Sequence, residues 1–471
     1  MKITLDRLKR HVDSNSSHEE LTRQLGMAHG GVEATEWRKR VAHGLSRGLP
    51  TLETTNPGGA TENSRWPAAS CLSPLRGFAR FVPITHGLYR GLFSIAALRL
   101  FVVLFALLSF IPLPPARAAA LKTQNVFLVI SDGFRWQEVF NGAEADLMTK
   151  ETGGVKDTNT LRQAFWRNSP AERREALLPF FWTEIASHGQ LFGNQNNGSV
   201  VTVTNGKKFS YPGYNEILTG APDARIDSND KKPNPNVTVF EWLNGRASLR
   251  NRVAIFGTWD VFPYIFNVER SHLPIWPVWE SKFGGYEIPP PQFVTDLMRD
   301  TTPMWEDLTY DSFLIQAAMD HMKRKQPRLM FVGFGETDEW AHAGRYDLYL
   351  TAAHHVDDFV RRLWELAQSI PQYRGKTTII ITADHGRGSG PVDWKSHGEK
   401  VANSEGDWIA VIGPDTPPVG ERTQIEPHTQ SQIAATIAAL LGEDYHAAVP
   451  QSGAPIADIF AGGERRAVRK H

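Results

Sequence analysis

Residues 125–131 read Asn-Val-Phe-Leu-Val-Ile-Ser, and the chain turns immediately afterwards at Asp132-Gly133. The run is continuous and β-branched rather than alternating, which is the pattern of a strand covered on both faces. Four later runs have the same character: Val253–Gly257, Leu329–Gly333, Thr377–Thr382 and Trp408–Gly413. Helical patterns at Ala171–His188, Asp311–Lys325, Asp347–Ser369 and Thr429–Leu441 lie between and around them. This alternation predicts a doubly wound α/β domain with a parallel core sheet. Neither repeats nor low-complexity tracts interrupt it after residue 121. Asn141–Trp166 is irregular, and the stretch 258–304, rich in Trp, Phe and Pro, reads as an insertion that forms a lid or substrate wall.

In open α/β sheets, ligands bind outside the carboxyl ends of the strands. The first run ends in Asp132-Gly133 and the fourth in Ala383-Asp384-His385-Gly386, while the third leads to Glu336-Thr-Asp338-Glu-Trp-Ala-His342. Asp338 and His342 are four apart, so one helical turn places them on a common face. His397 adds another imidazole between the last two runs. Asp and neutral His are ligands suited to Zn²⁺, with Mn²⁺ as the second choice. Two such ions roughly 3.5–4 Å apart can clamp the attacking and departing oxygens of an in-line displacement at phosphorus.

A hydroxyl stands apart from these groups in sequence. Ser210-Tyr-Pro-Gly-Tyr-Asn-Glu-Ile-Leu-Thr-Gly220 places a serine two residues before a proline, where a helix begins. Backbone N–H groups at such a terminus favour an anionic oxygen or a phosphate. A serine there is more often a plain N-cap; the acidic and imidazole groups at three strand ends give it a second meaning.

Lys+Arg and Asp+Glu are both 51, so the net charge is zero and charge gives no argument for a nucleic-acid or anionic-membrane partner. With 41% hydrophobic residues in 471, the chain has material for one large core or two modest ones. Residues 1–89 are polar and aperiodic, a poorly structured leader consistent with a start codon placed too far upstream. Residues 90–120 hold Arg90, Arg99, the apolar run Leu100–Ile111 and the small-residue tail Ala116-Arg-Ala-Ala-Ala120, the layout of a secretory signal. Counted over 92–113 the same segment reaches the length of a membrane anchor. Export to the periplasm or the extracellular space is the expectation on either reading. The single cysteine, Cys71, lies in the leader, so the unit from 121 to 471 has neither disulfides nor thiol chemistry.

The segment Ser210–Gly220 resembles the nucleophile segment of the alkaline phosphatase superfamily, with the closest look to its type I phosphodiesterase/nucleotide pyrophosphatase branch. The order Asp132, Ser210, Asp338, His342, Asp384, His385, His397 is similar to the seven metal-site positions of that superfamily. The resemblance implies an alkaline-phosphatase-like three-layer α/β sandwich with a central, mainly parallel sheet. It implies one zinc held by Asp338, His342 and His397 and another by Asp132, Asp384 and His385, with Ser210 bridging as nucleophile. It further implies a small-molecule phosphate ester as substrate, monoester or diester, and a phosphate-binding asparagine, for which Asn229 is the candidate. Serine stands where the diesterases have threonine, and Tyr214 where sulfatases have arginine and diesterases histidine. A sulfatase, a phosphotransferase resembling phosphoglycerate mutase, and an envelope protein that binds phosphorylated or glycan ligands without turnover are the alternatives. His354-His355 and His428 have no place in the pattern.

Overall fold

The computed structural model describes residues 121–279 and 284–460. The leader, the 90–120 segment with its anchor reading, Cys71 and the last residues of the 121–471 unit lie outside them. None of the helices among the described residues is long and apolar enough to cross a membrane.

Among the described residues, ten strands form two sheets. They are β1 (Asn125–Ser131), β2 (Gly189–Phe192), β3 (Val201–Thr202), β4 (Val253–Gly257) and β5 (Leu329–Phe334), followed by β6 (Thr377–Thr382), β7 (Gly406–Asp407), β8 (Ile409–Ile412), β9 (Gly420–Glu421) and β10 (His428–Thr429). The main sheet runs β4-β5-β1-β6-β8-β2-β9, and β10-β3-β7 make a small second sheet. β4, β5, β1 and β6 are mutually parallel. β8 is antiparallel to both β6 and β2.

The side chains of β1 explain the three layers. Phe127 and Val129 point to one face, joining Phe256, Met330, Val332, Ile379 and Ile381. Val126, Leu128 and Ile130 point to the other, joining Ile255, Phe331, Ile380, Ile409 and Val411. A strand with both faces apolar has to be covered twice, each buried Val, Leu, Ile or Phe contributing about 1.5–3 kcal/mol. The first face is covered by α2 (Asp311–Lys325), α3 (Glu336–His342) and α4 (Tyr346–Ser369). The second is covered by α1 (Ser210–Thr219) and α5 (Ile433–Leu440). The expected three-layer α/β sandwich around a mainly parallel sheet is what the chain forms.

Two expectations are corrected locally. The last of the five buried runs, β8, is antiparallel, because an apolar run covered on both faces carries no sign of its direction. The helix expected over Ala171–His188 is two pieces, Pro170–Leu177 and a π-helical turn at Phe181–Ile185 that leads into Ala186–His188. Pro179 lacks an N–H and pushes Leu178 out of the helical region, to φ −126°, ψ 68°. Within 258–304, short helices occupy Phe262–Ile265, Val268–Ser271 and Gln292–Asp300.

Candidate active site

The carboxyl ends of β1, β5 and β6 lie side by side, and the sequence beyond each turns inward with a carboxylate. Asp132 follows β1, Asp384 follows β6, and Asp338 sits in the first turn of α3 after β5. Two glycines permit the crowding. Gly133 has φ +57°, and a Cβ on it would sit 2.6 Å from Asp338 Oδ1. Its N–H donates to Asp384 Oδ1 at 3.0 Å. Gly213 lets α1 press against the strand end, since a Cβ there would lie 2.2 Å from the Asp384 carbonyl oxygen.

Ser210 opens α1 and is 6% exposed, with Oγ 3.5 Å from His385 Nε2. That nitrogen also lies 3.4 Å from Asp132 Oδ1 and 3.6 Å from Asp384 Oδ2. The other ring nitrogen, Nδ1, is 2.9 Å from the Gly386 carbonyl, which can only accept. Nδ1 therefore carries the hydrogen and Nε2 presents a lone pair. His397 repeats the arrangement: Nδ1 donates to the Lys208 carbonyl at 3.1 Å, and Nε2 faces His342 Nε2 at 2.9 Å and Asp338 Oδ1 at 3.6 Å. His342 Nε2 is 3.1 Å from Asp338 Oδ2. The His385 and His397 rings stack at 4.0 Å. All seven residues singled out from the sequence are thus gathered in one place.

Asn229 joins them from the side. Its Oδ1 accepts from the Tyr211 N–H at 3.0 Å, which leaves the amide N–H₂ as donor at the wall of a cavity of about 330 Å³. That cavity is lined by Ser210, Asp132, Asp338, His342 and His397. Trp259, Asp260, Asp307, Leu308 and Glu339 line it as well, with Lys231 bridging to Asp260 at 2.6 Å. His354 lies elsewhere, donating to or accepting from nothing in the site; its Nδ1 meets the Leu177 carbonyl at 2.7 Å. His428, in β10, sits against Phe192 and Asp458.

Three further neighbours hold the aspartates; of these only Tyr214 was singled out from the sequence, and without its hydrogen bond. Arg387, fully buried, ion-pairs with Asp338 Oδ1 and donates to the Lys395 carbonyl at 2.7 Å. Tyr214 donates from its hydroxyl to Asp132 Oδ2 at 3.0 Å. Thr337 donates to the Asp132 carbonyl at 2.6 Å. Arg387 follows His385 by two residues and Thr337 precedes Asp338 by one, so proximity in sequence was the only available signal.

Burial and mutual charge dominate the electrostatics of these side chains. Burial, then the charge of Asp338, pushes the Asp132 carboxyl well above its usual range. Burial, then Asp132, does the same to Asp384. Burial pushes Asp338 up as well, but Arg387, His397 and His342 outweigh it and hold that carboxyl well below the usual range. Burial takes His385 down to about 4 and His397, with His385 beside it, to about 2, so both rings are neutral at pH 7. Asp132 Oδ1 and Asp384 Oδ2 are buried with no hydrogen-bond partner among the described residues. Such orphaned carboxylate oxygens are costly unless a cation completes them. Asp132, Asp384 and His385 converge closely enough to hold one ion, and so do Asp338, His385 and His397. The donor set, oxygen and imidazole nitrogen, fits zinc.

Residues 227–453 match the model of the family described as type I phosphodiesterase / nucleotide pyrophosphatase. No curated protein matches the chain. Among solved structures, a phosphonate monoester hydrolase from Silicibacter pomeroyi is similar at 15% identity and TM-score 0.46, covering 74% of this chain and 78% of that one. The phosphonate monoester hydrolase of Agrobacterium radiobacter gives 13%, 0.45, 74% and 79%. The wild-type alkaline phosphatase PafA gives 11%, 0.44, 72% and 99%. The matched stretch, Asp227 to Gly453, carries Asp338, His342, Asp384, His385 and His397 but neither Asp132 nor Ser210, and over it the chain resembles the type I phosphodiesterase / nucleotide pyrophosphatase family.

Proposed function

We propose that this chain is an exported, metal-dependent hydrolase of phosphate esters that uses Ser210 as nucleophile. The family match supports ester hydrolysis, and export rests on the signal-like composition of residues 90–120. The observation that carries the metal-dependent reading is the pair of unpartnered oxygens, Asp132 Oδ1 and Asp384 Oδ2, converging on His385 Nε2 beside Ser210 Oγ.

Asp338, His342 and His397 would hold one ion and Asp132, Asp384 and His385 the other, zinc by preference and manganese as second choice. Bound there, the ions supply positive charge for the phosphoryl oxygens and lower the pKa of a hydroxyl at the site. The chain's own groups do the rest. Ser210 Oγ gives up its proton to solvent and forms the bond to phosphorus as the ester oxygen on the opposite side departs and takes up a proton. Water then cleaves the phosphoseryl bond, releasing phosphate from a monoester or a phosphate monoester from a diester and returning a proton to Ser210. The Asn229 amide N–H₂ donates to the phosphoryl oxygens, whose charge grows in the transition state; the Tyr211 and Gly213 N–H groups at the start of α1 are instead held by Asn229 Oδ1 and the Phe209 carbonyl. Trp259, Val261 and Leu308 wall the ester's alcohol side from bulk water.

Ser210→Ala is expected to lower turnover of p-nitrophenyl phosphate esters by at least about a thousandfold. Its zinc content should stay at the wild-type value, because the three aspartates and three histidines remain. A variant that turns over as the wild type does would exclude Ser210 as nucleophile.

A further inference from the structure

We propose that Tyr214 is a positioning residue that restricts Asp132 to a single metal-ligating oxygen and so selects a small, four-coordinate ion. The Tyr214 hydroxyl donates to Asp132 Oδ2 at 3.0 Å, while Asp132 Oδ1 has no partner and faces His385. Both groups are hidden from solvent: the phenol is 0% exposed and Asp132 6%. Edge-on contacts with Phe262, at 4.9 Å between centroids, and Phe331, at 6.2 Å, fix the ring. Packed this way, the hydroxyl cannot be replaced by water without opening the aromatic slot. Thr337 grips the backbone of the same aspartate through its carbonyl. Main chain and one carboxylate oxygen are thereby held, and Oδ1 alone is left to ligate.

Tyr214 comes four residues after Ser210 on α1, so one face of one helix presents both the nucleophile and the hydroxyl that holds the ligand. The position of α1 over the end of β1 then sets both at once. A carboxylate limited to one oxygen suits tetrahedral zinc, whereas larger cations such as Ca²⁺ take more oxygens, often two from one carboxylate. Hydrogen bonds that orient a ligand in this way typically alter metal affinity ten- to a hundredfold.

The inference rests on the metal-site reading above, and the test separates the two. Zinc binding to metal-free wild type and to Tyr214→Phe is measured by competition with a chromophoric chelator. Phe keeps the ring and its contacts, so the change is confined to the hydroxyl. Wild type should bind two ions. Tyr214→Phe should bind one with unchanged affinity, at Asp338, His342 and His397, and the other about ten- to a hundredfold more weakly. Its preference for Zn²⁺ over Ca²⁺ at the weakened site should narrow as Oδ2 becomes available. Two ions held by the variant at wild-type affinity, or both weakened equally, would overturn the role given to Tyr214. A wild-type protein that binds no zinc would instead overturn the metal site itself.

Discussion

Gly213 has no side chain because the carbonyl of Asp384 occupies the place where one would be, 2.2 Å from a Cβ. The neighbour is backbone at a strand end, so it cannot swing aside; either α1 retreats or β6 is displaced. Gly213→Ala is therefore expected to cost about 1–3 kcal/mol of stability by overpacking. It should also lower zinc occupancy, because Ser210 and Tyr214 move away with the helix. Thermal melting together with metal analysis checks both, and a variant with full stability and full zinc would show the contact to be slack. Asp132, Asp384 and His385 were legible because strand ends fix where their side chains arrive, and Asp338 and His342 because their four-residue spacing puts them on one face of the helix that follows β5, whereas His397, on a loop, was singled out by its residue type alone. Arg387 and the hydroxyl of Tyr214 were not legible, since their roles depend on where a loop and a helix come to rest. The Lys208 carbonyl that sets the His397 tautomer has no side-chain signature at all.

Among the elements, the small sheet had the least to announce it. β3, β7 and β10 have two residues each, too few for any period to show. β2 is short and begins with glycine, and its place is set by pairing with β8. Long runs buried on both faces, such as β1 and β6, were legible to the residue. The junction between the two sheets carries a buried acid that makes stability depend on pH. Asp407, in β7, accepts from Gln430 Nε2 at 2.7 Å and from Thr382 Oγ1 at 3.3 Å, while Oδ1 is buried without a partner. Burial outweighs these bonds and raises its carboxyl to about 7. The group is protonated in the fold at acidic pH, whereas the unfolded chain loses that proton near pH 3.9. Its contribution is thus complete below about pH 4 and is lost as the pH rises through about 7. Asp407→Asn, neutral at every pH, should flatten the fall in stability between those values by a few kcal/mol in all, on the order expected for a shift of about three pH units. Denaturant melts of both proteins at pH 4.5, 6 and 8 test this, and parallel profiles would mean that Asp407 stays ionised.

Among the described residues, three largely buried aspartates meet at one edge of the main sheet. Asp132, Asp338 and Asp384 come from three adjacent strands, His397 from the loop beyond β6, and Ser210 from a helix on the far face of the sheet. An ion bound there joins segments that are distant in sequence and exist together only in the folded chain, so binding free energy becomes folding free energy. At free zinc a hundred times the dissociation constant, each site adds about 2.7 kcal/mol. Two sites should raise the melting temperature by several degrees at least, with the increase growing as the logarithm of zinc concentration. Stripping with a chelator should reverse it. Amide exchange should then quicken around residues 132–135, 208–213, 384–387 and 395–398, which meet at the ligands, while the middles of β1, β5 and β6 keep their protection because both apolar layers still cover them. Melting that ignores zinc and chelator alike would mean that the carboxylates are balanced by protons rather than by metal. Quickened exchange spread evenly over the sheet would mean that the ions support the whole fold instead of one edge.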